Sequence, residues 1–127
     1  MYPTDRRYTK EHEWILVEGD TGTIGLTDYA QDQLGDIVYV ELPEKEKEFG
    51  KGDVLGSIES VKAVTEIYSP VSGTVLDVNE DLDGEPEKVN GDPHGDGWYC
   101  KMKIADAAEL DEHMDAAAYQ EFVESSG

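Results

Sequence analysis

Two runs of strand character, Val54 to Ile58 and Val64 to Tyr68, follow each other with no glycine, proline or long loop between them. Strands joined so abruptly pair with one another, so the sequence predicts an antiparallel hairpin with Val61-Lys62-Ala63-Val64 as a tight tip. That arrangement places Lys62 in solvent. An exposed primary amine on a rigid tip is a good acyl acceptor, because a modifying enzyme can reach the amine while the strands hold its surroundings in order. The same spacing also suits an ordinary solvated lysine, and from the hairpin alone both readings stand.

Further strands are read at Glu13 to Val17, from Gly22, at Ile37 to Leu42 with Val38, Val40 and Leu42 on one face, at Gly73 to Val78, and at Trp98 to Ile104. In the last of these, Trp98, Cys100, Met102 and Ile104 alternate with Tyr99, Lys101 and Lys103, which turns Cys100 inward as a core thiol. Thr27 and Gly35 bracket a short helix as N-cap and terminator. Asp106, with Glu109 at capping-box spacing, and Asp115 are read as caps of two C-terminal helices. Glu44 to Glu48 is a charged loop, and residues 79–97, rich in Asp, Glu, Gly, Asn and Pro, are expected to form a long surface loop. Gly22-Thr23-Ile24 and Gly73-Thr74-Val75 echo each other as a candidate mark of two related halves, though three residues match by chance as readily. Many short strands with marginal helices give a mainly β fold, sandwich-like or barrel-like.

A chain of 127 residues suits one domain with a sizeable core. No apolar run approaches the roughly 20 residues of a membrane span, and MYPTDRRYTK lacks the apolar region of a signal peptide, so a soluble, cytoplasmic protein is expected. The single cysteine excludes an internal disulfide and suits a reducing compartment. Thirty acids against ten Lys and Arg give a net charge of −20, which repels nucleic acid and anionic membranes. The acids are spread along the whole chain, a pattern that suits a salty, halophilic cytoplasm.

Catalytic machinery is missing from the sequence. Asp81 to Glu85 and Asp92 to Gly97 lack the ligand series of a calcium loop. His12, His94 and His113 are far apart and outside any zinc motif. No nucleophile elbow, dinucleotide fingerprint or P-loop is present.

Four blocks, YTKEHEW, GLTDYAQDQLGDIVYVELP, GSIESVKAVTEIYSPVSGTVLDVNEDL and VNGDPHGDGWYCKMKI, together resemble the H proteins of the glycine cleavage system. The resemblance runs from about Tyr8 to the C-terminal helices. It implies a barrel-sandwich hybrid, lipoyl-domain-like, with short helices and a C-terminal helical segment: one domain over 1–127, its lipoyl-binding core spanning 22–104. Lys62 would carry one covalent lipoate in amide linkage, with Glu59, Ser60, Val61 and Ala63 recognised by the lipoate-attaching enzymes. The implied partners are the pyridoxal-phosphate glycine decarboxylase (P protein), the aminomethyltransferase (T protein) and the flavin-containing dihydrolipoyl dehydrogenase (L protein), served by a non-catalytic monomer. Glu66 stands where such proteins often have Asp, and His94 where Tyr is frequent; Gly84 to Lys88 varies a polar loop.

An aminomethyl group carried on such an arm is cationic and prone to hydrolysis, so a protecting cleft is expected. Glu13 and Glu66 are the candidates to pair with the cation, with His12 as a neighbour; both acids also suit plain surface charge. A lipoyl domain of a 2-oxoacid dehydrogenase typically has Asp before the lysine, where this chain has Val61. A biotin carrier would surround the lysine with methionines. A lipoate relay to other carriers stays open as an added role.

Overall fold

The computed structural model describes residues 2–126. Two antiparallel sheets face each other across one apolar core. The larger contains β1 (Arg7–Tyr8), β2 (Glu13–Glu18), β3 (Thr21–Leu26), β5 (Glu48–Phe49), β8 (Gly73–Val78) and β9 (Cys100–Ile104) in the order β1-β2-β3-β9-β8-β5. The smaller is β4 (Ile37–Glu41), β6 (Val54–Ser60) and β7 (Val64–Tyr68) in the order β4-β6-β7. Alternation drives this packing: Ile24 and Leu26, Val75, and Cys100, Met102 and Ile104 all turn inward and are buried. From the smaller sheet come Val40, Leu55, Ile58 and Ile67. Among the described residues no helix is long and apolar enough to cross a membrane.

The two Gly-Thr segments lie in β3 and β8, which flank the same strand, β9. Their glycines are there for close approach. A Cβ at Gly22 would lie 2.7 Å from Ile15 Cδ1, and one at Gly73 would run into the carbonyl oxygen of Lys103.

Helix α1 (Asp28–Leu34) begins at Thr27, whose Oγ1 accepts the Ala30 N–H, and ends at Gly35 with φ 77°. A 3-10 helix (Ala107–Glu112) is capped by Asp106, and the C-terminal α4 (Ala116–Ser126) by Asp115, whose Oδ1 accepts the Ala118 N–H. Tyr8, Trp14 and Tyr119 form a second apolar cluster that ties α4 to the first two strands.

Four expectations need correction. Residues 79–97 are not a surface loop: they contain α2 (Asp81–Gly84) and α3 (Lys88–Gly91), which sink Leu82 and Val89 into the core. Their polar composition serves internal bonding, with Asn90 donating to Gln31 Oε1 and Gly35 O while accepting from Ile37 N–H. Tyr99 is buried along with Cys100, because its hydroxyl donates to the Glu41 carbonyl across the sheets. Val38 faces solvent, since an irregularity between Ile37 and Tyr39 turns both Val38 and Tyr39 outward. Glu109 closes no capping box; its carboxylate accepts from the Ser72 N–H and Oγ.

Candidate functional site

The hairpin tip is closed by Ser60. Its N–H donates to Ala63 O at 2.8 Å, and its Oγ accepts from the N–H groups of Lys62 and Ala63, each at 3.1 Å. Val61 N–H donates to Asp36 O at 3.0 Å. Every main-chain donor of the tip is therefore satisfied, and a loop so bonded holds its shape. Val61, Lys62 and Ala63 remain exposed, with Val61 at 66%. Glu59 pairs with Val64 at the last rung of the ladder.

The stem of Lys62 lies over the end of α1, where a Cβ on Gly35 would come within 3.4 Å of its Cε. Gly35 also occupies a backbone region open only to glycine. Gly35→Ala is accordingly expected to cost about 1–3 kcal/mol, read as a lower denaturant midpoint with an unchanged m-value.

Just beyond Gly35, a cleft of about 150 Å³ runs between α1 and β7, lined by Glu11, His12, Tyr29, Leu34, Thr65 and Glu66 among others. Glu13 lies behind it, 1% exposed, and borders a neighbouring cavity of about 200 Å³ that Glu11 and Tyr68 also line. Tyr68 links the two acids, its N–H donating to Glu13 Oε2 at 2.6 Å and its hydroxyl to Glu66 Oε1 at 3.4 Å. Glu13 Oε1 accepts from Thr9 Oγ1 at 3.1 Å. The three acids thus gather around one tyrosine, but Glu13 and Glu66 open onto different hollows.

Burial pushes Glu13 up to about 8, against the pull of the Tyr68 and Thr9 hydrogen bonds; the negative charge of Glu11 adds to the rise. The folded protein therefore holds this proton more tightly than the unfolded chain. Its contribution to stability is full below about 4.5 and is lost as pH rises through about 8. Burial shifts His12 the other way, below its usual value, which favours the neutral ring. His94 stands apart from the cleft: its Nε2 accepts the Asp28 N–H at the start of α1.

Sequence reasoning missed Glu11, Tyr68 and Gly35 as parts of this site. Glu11 was legible in principle, being the other acid of the EHEW block.

The glycine cleavage H-protein family model matches residues 6–126. The chain belongs to the glycine cleavage H-protein family. The glycine cleavage system H protein of Parvibaculum lavamentivorans is 57% identical over 122 residues, covering 96% of this chain and 98% of that protein. The one from Thermotoga maritima is 54% identical over 117 residues, covering 92% and 94%. The crystal structure of a glycine cleavage system H protein from Mycobacterium marinum superposes with a TM-score of 0.87 at 33% identity, over 94% of this chain and 97% of that one. In this member of the family, the site offers an acylable amine, an apolar path over the end of α1 and an acidic cleft beside it. Such a site suits a long acyl arm with a cationic end.

Proposed function

We propose that the protein is the lipoyl-carrying shuttle of the glycine cleavage system, bearing lipoate on Lys62. It moves the aminomethyl group of glycine from the P protein to the T protein, and the L protein then reoxidises the arm. The observation that carries this reading is the exposed lysine on a tip whose main-chain donors are all hydrogen-bonded, in a chain of this family. When bound, lipoate supplies the redox and group-transfer chemistry, and the chain supplies position and reach. The residues present fit that group. Leu26, Leu34 and Tyr29 give the cleft an apolar wall, while Glu11 and Glu66 give it negative charge.

Each side chain has a task in this reading. Ser60 fixes the tip; Glu59, Ser60, Val61 and Ala63 present the amine to lipoate-attaching enzymes. Lysine plus lipoate has about ten rotatable bonds, so at ~1.5 Å per bond its end reaches on the order of 12–15 Å from the backbone. That length lets one tether enter several active sites and raises the local concentration at each docked partner. Glu66 holds the cargo's ammonium, Glu11 adds to the negative field, and Leu26 and Leu34 exclude water, while Glu13, buried and bonded to Tyr68 N–H and Thr9 Oγ1, braces the wall behind them. The protein itself catalyses nothing. We place it in the cytoplasm as a monomer, one domain over 1–127 with the carrier core at 22–104.

Intact mass and peptide mapping of protein purified from its source test the assignment. A single lipoyl adduct on Lys62 is expected. A biotinyl adduct, or uniformly unmodified Lys62, would overturn it.

The dispersed acids support adaptation to high salt. Ion pairs engage Arg6 with Asp5, Lys45 with Asp77 and Glu80, Lys51 with Glu112, and Lys88 with Asp81 and Glu85, which leaves most of the thirty acids without a cationic partner among the described residues. At about 1 M salt the screening length falls to roughly 3 Å, and their mutual repulsion largely vanishes. The melting temperature is expected to climb from low to molar salt; a flat profile would remove the halophilic reading.

A further inference from the structure

Of the residues that line the cleft, His12 is the one base, and its main chain is set in an unusual way. It is a non-glycine residue at φ 67°. That conformation is held by its N–H donating to Thr9 O and its carbonyl accepting the Thr27 N–H, each at 3.1 Å. The ring packs against Tyr29 at 4.7 Å and Phe122 at 5.7 Å between centroids. Its Nδ1 lies 2.8 Å from Tyr119 Oη, which lies 2.7 Å from Thr27 Oγ1. Tyr119 and Thr27 are both fully buried.

The direction of this chain follows from counting protons. Thr27 Oγ1 already accepts the Ala30 N–H as the cap of α1. Its own proton then needs an acceptor, and Tyr119 Oη is the one in reach. With that acceptance made, the Tyr119 hydroxyl donates to His12 Nδ1. The ring proton consequently sits on Nε2. The opposite direction would leave the buried Thr27 hydroxyl proton without a partner, a cost of roughly the desolvation of one polar group.

We propose that Tyr119, far along the chain on α4, is a positioning residue that locks His12 as the neutral, Nε2-protonated tautomer, so that the cleft keeps its negative charge for the aminomethyl cation. The proposal rests on the shuttle reading above. Charged and titratable groups reach the ring from every side: Glu11 on its own loop, Tyr29 on α1, Glu66 on β7 and Tyr119 on α4. Glu11 favours an imidazolium, whereas burial opposes it. An imidazolium here would pair with Glu11 and Glu66 and compete with the cargo for them. Protonating Nδ1 also requires the whole chain to turn around against the cap of α1. The C-terminal helix is thereby part of the cleft's electrostatics as well as its packing.

The test is nitrogen-detected NMR of the His12 ring in lipoyl-free protein, wild type and Tyr119→Phe. Phenylalanine keeps the stacking on Tyr8 and removes the hydroxyl. Wild type is expected to show the Nε2–H tautomer from pH 8 down to 6.5, and the variant a mixture of tautomers with protonation beginning at higher pH. In aminomethyl-loaded protein at pH 6.5, Tyr119→Phe should release formaldehyde roughly fivefold faster, the effect of one lost hydrogen bond. Adding His12→Gln to Tyr119→Phe should reverse that increase, since no ring remains to be charged. An Nδ1–H tautomer in wild type, or identical titration in both proteins, would overturn the proposal. The wild-type spectrum decides even if the variant does not fold. Failure of the shuttle reading is distinguished by mass: Lys62 then carries no lipoyl group, while the tautomer is still read directly.

Discussion

Lys62→Arg is expected to abolish glycine cleavage and glycine exchange while leaving the fold intact. Arginine preserves the positive charge but offers no primary amine to acylate, so the variant separates covalent chemistry from electrostatics. The structure supports a clean outcome. Lys62 is exposed, and the tip is closed by the Ser60 side chain and main-chain groups that the substitution leaves in place. Stability should stay within about 0.5 kcal/mol of wild type. The checks are glycine-dependent carbon dioxide release with P, T and L proteins supplied, and a denaturation curve run in parallel. Retained activity would remove the central claim.

Glu66→Gln and Glu13→Gln should leave lipoylation and reoxidation of the arm near normal, because neither step involves the cargo's charge. The loaded Glu66→Gln protein should instead leak, whereas Glu13→Gln, whose buried carboxyl already carries a proton at neutral pH, should release cargo much as wild type does. Losing one charge-assisted hydrogen bond of roughly 1.5–3 kcal/mol shifts the arm toward solvent about ten- to a hundredfold. The measurement is formaldehyde release from aminomethylated protein with the T protein withheld. Equal release from wild type and Glu66→Gln would return Glu66 to plain surface charge. The two substitutions also differ in a way the structure dictates. Glu66 is exposed, so its change should hardly touch stability. The carboxylate of Glu13 accepts from both Tyr68 N–H and Thr9 Oγ1, and an amide has one acceptor oxygen for those two donors. Glu13→Gln should therefore flatten the pH dependence of stability between about 4.5 and 8, at the cost of one weakened hydrogen bond.

The parts of this protein that the sequence made legible are those written in local periodicity. The Lys62 hairpin, the Thr27 cap, the Gly35 terminator and the inward Cys100, Met102 and Ile104 all follow from spacing of two or from helix-end chemistry. What escaped was set by distant partners. Asn79 and Asn90 gave residues 79–97 the composition of a loop, yet Asn90 bonds Gln31, Gly35 and Ile37 from more than fifty positions away. Tyr99 read as outward until the Glu41 carbonyl across the core claimed its hydroxyl. The site divides the same way. The exposed tip position of Lys62 was legible from its own hairpin. The separation of Glu13 and Glu66 into two hollows depends on where Tyr68 and the Thr9 turn fall in space, and no spacing along the chain encodes that.

The burial of Cys100 has a consequence for thiol–disulfide exchange. A carrier whose tether alternates between disulfide and dithiol is exposed to attack by any thiolate of its own kind, and the resulting mixed disulfide would cap the arm or link two molecules. Cys100 is the single cysteine of the chain and is completely buried between β3 and β8. Burial drives its ionisation well above the usual thiol range, so the thiolate is scarce as well as inaccessible. In the shuttle reading, redox-active sulfur chemistry is therefore confined to the tether, and turnover leaves the carrier no thiol of its own to react with.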